Sequence, residues 1–243
     1  MRVKASLCEV VADQSARRRL RRAAKRFYTS SQVRLERAAI RHRYDAPTET
    51  QEWFDGEALG VSKDTWSGDR RYYAASPWRV LRQILDPDEV SSDDVFIDFG
   101  CGTGRVLLEA ADRYPFKRVI GIDFVPKLVE IARDLIARNR DRFGPTEVEI
   151  IEADALEYDV PDDVTVVYMY DPFRGQIFEA VAEKLIASVD RNPRRLRLIY
   201  FFRSQAEALK QSGRIRFVRY GRRAIRRWQE ATYLAMYEIT PET

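Results

Sequence analysis

Short apolar runs alternate with amphipathic stretches along the chain from residue 94 onward. The runs are rich in Val, Ile, Tyr and Phe, and they predict strands over residues 94–99, 118–123, 148–152, 164–170, 197–202, 215–220 and 232–239. Between them, apolar side chains recur at helical spacing in residues 126–140 and 176–189. Apolar strands that alternate with amphipathic helices are typical of a sheet covered on both faces, so we predict a doubly wound α/β fold. Its seven-stranded sheet would be mostly parallel, with an antiparallel last strand in the closing hairpin.

The N-terminal third shows a different pattern. Residues 15–43 carry apolar positions on one side and arginines around the rest, which favours a helix. Residues 44–75 are polar and aromatic and show no clear period. We therefore predict a basic and aromatic helical cap region over residues 1–75 and one larger domain over residues 76–243.

A helix start is predicted at the junction of these two regions. Ser76 is typical of an N-cap, and Pro77 of the first helical position. The helix would carry Trp78, Val80, Leu81 and Ile84 and end before the Asp-Pro-Asp sequence that begins at residue 86.

Composition is ordinary for a globular protein, but the charge is unevenly distributed. The chain has 243 residues, of which 45% are hydrophobic and 33% charged, and its net charge is +4. Residues 1–50 hold 13 Lys or Arg against 5 Asp or Glu, residues 213–227 hold seven Arg and no acid, and the remainder therefore carries −11. The basic segments could meet nucleic acid, an acidic protein or an anionic small molecule. No recognised nucleic-acid-binding module accompanies them, so a solvated face or a homo-oligomer surface is favoured.

The sequence also argues against several classes of protein. It has no run of about 18 apolar residues that would span a membrane, and its N-terminus lacks the apolar core of a secretory signal. Cys8 and Cys101 can form neither a disulfide framework nor a metal-binding pattern. A cytoplasmic protein without a metal site is expected.

A glycine-rich loop is the strongest chemical signal. Gly100, Gly102 and Gly104 follow a predicted strand, precede a predicted helix, and are spaced G-x-G-x-G rather than G-x-G-x-x-G. Asp98 stands two residues before the first glycine, and a carboxylate there suits a cationic ligand better than a pyrophosphate. The alternative is a tight strand-to-helix turn without a ligand.

Two further acids follow the next two strands. Asp123 ends the second strand, where it could accept hydrogen bonds from ribose hydroxyls. Asp154 follows the third strand, where a helix N-cap or a solvated loop acid is the alternative. The carboxyl ends of parallel strands meet at one edge of a sheet, so Asp98, Asp123 and Asp154 are predicted to line one crevice.

With its D-F-G-C-G-T-G segment, the chain resembles the class I S-adenosylmethionine-dependent methyltransferases over about residues 76–243. The resemblance implies that the glycines pass under the methionine part of the cofactor, that Asp98 holds its amino group, and that Asp123 takes both ribose hydroxyls. It also places Phe124 against the adenine, Asp154 on the adenine amine and the Ala155 N–H on a ring nitrogen. Within this loop, Cys101 is expected to be a small packing residue rather than a nucleophile.

The sequence Y-M-Y-D-P-F, at residues 168–173, resembles the acceptor motif of amine-methylating members of the class. By that resemblance, the Asp171 side chain and a backbone carbonyl accept from the substrate nitrogen, beside Pro172 and Phe173. The alternative is a turn in which Asp171 caps the next element and Pro172 begins it. The chain is similar to a group of bacterial methyltransferases of poorly defined substrate, many of which have Asn in place of Asp171 and Lys in place of Thr103.

The predicted reaction is therefore N-methylation of a small molecule or of a peptide or protein side chain. The single histidine, His42, lies in the basic N-terminal segment, which disfavours O-methylation through a histidine base. O-methylation assisted by Asp171, a tyrosine or a metal, RNA methylation through the basic segments, and a non-enzymatic binding protein remain alternatives. Tyr72 and Tyr73 are candidates for a lid over the cofactor, or for packing.

Overall fold

In a computed structural model, the described part of the chain comprises Ala38, Ile40, Arg43, Tyr44 and residues 68–71, 73–201, 213–222 and 234–241. The chain divides into two compact units, Met1–Glu49 and Thr50–Thr243. In the first unit, Ala38, Ile40 and Arg43 are helical, and the rest of the predicted helix over residues 15–43 lies outside the described residues. The predicted boundary at residue 75 remains a prediction.

A seven-stranded sheet forms the body of the second unit. Its strands are β1 (Val95–Phe99), β2 (Arg118–Asp123), β3 (Glu147–Glu152), β4 (Val164–Met169), β5 (Leu196–Phe201), β6 (Ile215–Tyr220) and β7 (Leu234–Ile239). The strand order is β3-β2-β1-β4-β5-β7-β6, in which β1 to β5 are parallel and β7 pairs antiparallel with both β5 and β6. The predicted mostly parallel sheet with an antiparallel last strand is confirmed.

Three α-helices connect the parallel strands: α1 (Arg105–Arg113), α2 (Pro126–Arg138) and α3 (Gly175–Arg191). Short 3-10 turns cover Leu81–Gln83, Pro87–Glu89 and Arg140–Arg142. The predicted helices over 126–140 and 176–189 are confirmed within two residues at each end. Strands β1, β4 and β5 are almost fully buried, as expected for the centre of a doubly wound sheet.

The helix predicted from Ser76 to Ile84 is wrong. Arg79 adopts a positive φ of 60°, which interrupts any helix there, and only Leu81–Gln83 forms a 3-10 turn. The apolar residues Val80, Leu81 and Ile84 are buried, and their burial accounts for the apolar spacing without a helix. A tertiary hydrogen bond fixes the backbone here: the Arg82 N–H donates to the buried Glu109 carboxylate of α1 at 3.3 Å.

The arginines of the edge strand β6 and its flanks are paired with carboxylates. Each of the four in residues 213–222 has a partner in the fold: Arg214 with Asp190, Arg216 with Glu238, Arg219 with Glu89 and Arg222 with Asp86. Within this described stretch, the positive charge read from the sequence is thus largely balanced by acids distant in the chain. None of the helices in the described ranges is long and apolar enough to cross a membrane.

Candidate active site

A cleft of about 700 Å³, including the part open to solvent, lies at the carboxyl edge of the parallel strands. Its lining includes nine of the predicted site residues: Tyr73, Gly100, Asp123, Phe124, Asp154, Ala155, Asp171, Pro172 and Phe173. Open α/β sheets bind ligands at this edge, where the strand order reverses between β1 and β4. Asp98, Cys101, Gly102 and Gly104 lie beside the cleft but do not line it, and Tyr72 lies outside the described residues.

The glycine loop is held by the neighbouring strand and by the residues that cover it. The N–H groups of Gly100 and Cys101 both donate to the Ile122 carbonyl at the end of β2, at 2.8 and 2.9 Å. Gly102 has φ +54°, and a Cβ built there would lie 2.3 Å from Cε2 of the Tyr73 ring. The loop therefore requires glycine both for its backbone conformation and for the ring lying directly on it.

Tyr73 is anchored over this loop. Its hydroxyl and the Thr103 hydroxyl are 2.9 Å apart, and burial raises the Tyr73 pKa, so the ring stays a neutral phenol. Tyr73 also packs with Phe124 against Val125 and Leu128. These contacts agree equally well with a cofactor lid and with packing, and the lid remains a prediction.

Asp98, in β1, is a buried carboxylate without a donor. It is 2% exposed, and no described residue gives it a hydrogen bond or an ion pair. Burial and the neighbouring charge of Asp123 raise its pKa well above the ordinary value. A carboxylate in this state is costly unless a positively charged or hydrogen-bonding partner reaches it.

Asp123, at the end of β2, is oriented by the backbone. Its two carboxylate oxygens accept from the N–H groups of Gly102 at 2.9 Å and Val125 at 3.0 Å. Burial nevertheless raises its pKa to about 6, against the lowering effect of these hydrogen bonds. The two N–H groups fix the side chain, and a carboxylate oxygen held this way can still accept from a ligand hydroxyl.

Arg70 contacts two of the three residues that the resemblance assigns to the adenine. Its guanidinium lies 5.0 Å from the centre of the Phe124 ring and forms an ion pair with the Asp154 carboxylate. The other Asp154 oxygen accepts from the Leu156 N–H at 3.0 Å, which shows that this acid also organises its own turn. No helix begins in the described residues between β3 and β4, so Asp154 closes a short turn here and does not act as a helix N-cap.

Asp171, just after β4, is surrounded by donors. Its Oδ2 lies 2.9 Å from Nη2 of Arg174 and 3.2 Å from Nε of Arg71, and its Oδ1 accepts from the Tyr200 hydroxyl at 2.9 Å. It is 3% exposed and has a positive φ of 48°, a conformation that Asp tolerates better than most residues. The carboxylate thus already balances two guanidinium groups of the protein.

The backbone of the Asp-Pro-Phe motif pairs with a segment from before the sheet. The Arg71 N–H donates to the Pro172 carbonyl at 3.1 Å, Arg174 donates to the Asp69 carbonyl at 2.7 Å, and Arg70 and Phe173 form an antiparallel bridge. Residues 69–71, named here the clamp segment, therefore form one wall of the cleft. Sequence reasoning missed Arg70 and Arg71 because an arginine pair in an aperiodic stretch carries no pattern.

Comparison with known proteins relates much of this cleft to a known family. The methyltransferase domain family matches residues 96–195. This match takes in β1 to β4, the three α-helices and every predicted site residue except Tyr72 and Tyr73. Over residues 96–195 the chain is thus similar to a methyltransferase domain, and this similarity supports S-adenosylmethionine as the cofactor.

The relatives of this methyltransferase domain act on different acceptors. A protein-lysine N-methyltransferase of Saccharolobus islandicus is 31% identical over 99 residues, which cover 40% of this chain and 58% of that protein. A malonyl-[acyl-carrier protein] O-methyltransferase of Acetivibrio thermocellus is 36% identical over 73 residues, 30% of this chain and 25% of its own length. The chain thus spans between a quarter and three fifths of these two relatives.

A solved structure shares the fold of the methyltransferase domain. Trm5 of Methanocaldococcus jannaschii, determined in complex with adenosine, superposes with a TM-score of 0.50 and 17% identity. The superposition covers 70% of this chain and 51% of Trm5. It supports the doubly wound architecture.

Proposed function

We propose that this protein binds S-adenosylmethionine in the cleft and transfers its methyl group to an acceptor. The observation that carries the proposal is the buried Asp98 carboxylate, which has no donor among the described residues and lies in the strand that leads into the glycine loop. An ammonium group is the partner that such a carboxylate lacks. The cofactor carries one on its methionine part.

The remaining residues fit the other parts of the cofactor. Asp123, fixed by two backbone N–H groups, would accept from the ribose hydroxyls, and Gly100, which lines the cleft, would let the loop backbone approach the methionine part. Phe124, Asp154 and Ala155 line the cleft, where they would contact the adenine. Bound there, the cofactor would supply an electrophilic methyl group on a sulfonium: an acceptor lone pair would form the new bond to the methyl carbon while the carbon–sulfur bond breaks and its electrons stay on the sulfur. The protein's part is alignment and exclusion of water.

We propose nitrogen as the methylated atom, in a small molecule or in a peptide or protein side chain. A neutral amine needs no general base, and no histidine occurs after residue 42. Tyr170 lines the cleft, but burial raises its pKa to about 12, so it is a poor base near neutral pH. The O-methylation alternative would therefore rely on Asp171 or on a metal ion rather than on Tyr170.

The role first predicted for Asp171 needs a change under this proposal. Its carboxylate is held by Arg71, Arg174 and Tyr200, and the Pro172 carbonyl accepts from Arg71. We propose that the Asp-Pro-Phe motif shapes the acceptor wall and positions the clamp segment.

Calorimetry with S-adenosylhomocysteine tests cofactor binding. Wild type should bind it, and Asp123→Ala should weaken binding by at least tenfold, the loss expected for hydrogen bonds to a charged group. Asp141→Asn, a change at an exposed acid, is the control and should bind like wild type. Failure of the wild type to bind would contradict the proposal.

Transfer is tested by supplying labelled S-adenosylmethionine with a lysate and sorting the label among protein, RNA and small molecules. We expect the label in the small-molecule or protein fraction, in acid-stable bonds to nitrogen. Label in base-labile esters, or in RNA, would contradict the nitrogen assignment or the acceptor class, respectively.

A further inference from the structure

The side of the cleft formed by the Asp-Pro-Phe motif, named here the acceptor side, contains Arg71. One edge of the Arg71 guanidinium faces a carboxylate, which orients the side chain. Nε of Arg71 lies 3.2 Å from Asp171 Oδ2, and its backbone N–H donates to the Pro172 carbonyl at 3.1 Å. The side chain is 40% exposed and lines the cleft. No other described residue accepts a hydrogen bond from its guanidinium.

The carboxylate that orients Arg71 is itself fixed. Asp171 is buried and bound by the Tyr200 hydroxyl and by Arg174, so it cannot follow Arg71 if that side chain moves. A guanidinium is a planar fork, and a contact through Nε leaves the opposite Nη edge as a pair of parallel donors. That pair of donors matches the two oxygens of a carboxylate.

The charges of the cleft are divided between its two sides. The side assigned to the cofactor has Asp98 and Asp123, with Asp154 balanced by Arg70. On the acceptor side, Arg71 and Asp171 line the cleft, Arg174 also pairs with Asp171, and the Asp69 carboxylate lies close to Gly175 at the start of α3. A cationic cofactor suits the first side, whereas on the second side the cation that lines the cleft is Arg71, which suits an anionic group.

We propose that Arg71 binds the carboxylate of a small acceptor molecule. This inference rests on the proposed methyl transfer and adds the acceptor class to it. A lysine side chain of a protein carries no anionic group that could pair with Arg71, whereas a small acceptor with a carboxylate does. An RNA acceptor would need further unpaired cations, whereas the four described arginines of residues 213–222 are ion-paired.

Arg71 lies outside the residues that match the methyltransferase domain family. It belongs to the clamp segment, which reaches the acceptor motif through backbone pairing with residues 172–174. The carboxylate site is thus added to the shared domain by a part of the chain that the family match does not include.

The test uses benzoate as the probe and benzamide as its neutral counterpart. Both are titrated by NMR or calorimetry into the full-length protein, with and without S-adenosylhomocysteine. Benzoate should bind wild type about tenfold more tightly than benzamide, and Arg71→Gln should remove that difference, as expected for a charge-assisted pair of hydrogen bonds. Arg71→Lys, which keeps the charge without the fork, should fall between them.

Arg138→Gln is the matched control. Arg138 is 41% exposed and paired with one carboxylate, Asp134, but it does not line the cleft. This variant should bind benzoate like wild type. Equal binding of benzoate and benzamide to wild type, or unchanged benzoate binding in Arg71→Gln, would overturn the inference.

The two proposals fail separately. Binding of S-adenosylhomocysteine without selective benzoate binding removes only the carboxylate site, whereas no binding of S-adenosylhomocysteine removes the proposed function. Thermal melts of each variant show whether it folds. If Arg71→Gln does not fold, the wild-type comparison of the two probes and Arg71→Lys still decide the question.

Discussion

The ends of β1 and β4 carry two buried acids with opposite surroundings. Asp98 is 2% exposed and has no donor among the described residues, whereas Asp171 is 3% exposed and has two guanidiniums and a hydroxyl. Both would be selected by burial alone as functional acids. Under the proposed function, hydrogen-bond satisfaction rather than burial would distinguish a carboxylate prepared for a ligand from one that holds the fold.

The largest effect that follows from this difference is on stability at Asp171. Asp171→Ala leaves the Tyr200 hydroxyl, Arg71 and Arg174 without their shared partner and should lower the free energy of unfolding by about 2 to 3 kcal/mol. Urea denaturation measures it. Asp171→Asn keeps an oxygen for Tyr200 and tolerates the positive φ, so it should lose less. Equal losses in the two variants would contradict the ion-pair explanation.

The second effect concerns ligand affinity at Asp98. Asp98→Asn should weaken S-adenosylhomocysteine binding by about 50-fold, because it removes the charge that an ammonium group needs. Its stability should stay equal to wild type or rise, since a buried charge without a donor is removed. Calorimetry and denaturation on the same sample separate the two. A large loss of stability with unchanged affinity would make Asp98 a structural acid like Asp171.

The free energy of unfolding should depend on pH through a third buried acid, Glu109. Burial raises the pKa of Glu109 from 4.5 to about 7, although backbone N–H groups of the 81–82 turn lower it. A carboxyl with a raised pKa in the folded state stabilises the fold when protonated, and this contribution is lost as pH rises from about 4.5 to 7. Between pH 5.5 and 8, wild type should therefore lose about 2 kcal/mol relative to Glu109→Gln. Parallel stability curves for the two proteins would contradict it.

The smallest expected effect is at Arg70. Its partner Asp154 is intermediate between Asp98, which has no described donor, and Asp171, which has three. Asp154 is assigned to the adenine but is ion-paired with Arg70, which also covers Phe124. If the cofactor takes these contacts, Arg70→Ala should tighten S-adenosylhomocysteine binding by about threefold, since a partly exposed pair is worth about 0.5–1 kcal/mol. Arg138→Ala should change nothing. Weaker binding in Arg70→Ala would show that Arg70 itself contacts the ligand.

Local sequence patterns predicted most of the sheet and the cofactor side of the cleft. The seven strands were predicted from apolar runs. Gly100, Asp123 and Asp154 stand at or just after the ends of those runs, so they meet at one edge of the sheet because the strands pair in parallel. The helix from Ser76 was predicted wrongly because a local pattern, apolar residues at helical spacing, was taken as evidence of a helix. Its apolar spacing is satisfied by burial, while the backbone takes a turn at Arg79 and a tertiary hydrogen bond to Glu109.

The sequence by itself determined where the strands lie along the chain, the glycine loop and the three acids at the ends of consecutive strands. These features depend on neighbours within a few residues. Only the tertiary structure decided which charges are balanced. The sequence left open whether the arginines of residues 213–227 meet a ligand or form a solvated or self-association surface, whereas in the fold the described ones pair with Asp86, Glu89, Asp190 and Glu238. Arg71 and Asp171 are 100 residues apart, and their contact depends on the clamp segment meeting the end of β4. Whether a charge is available for a ligand depends on distances across the fold, which a linear sequence does not contain.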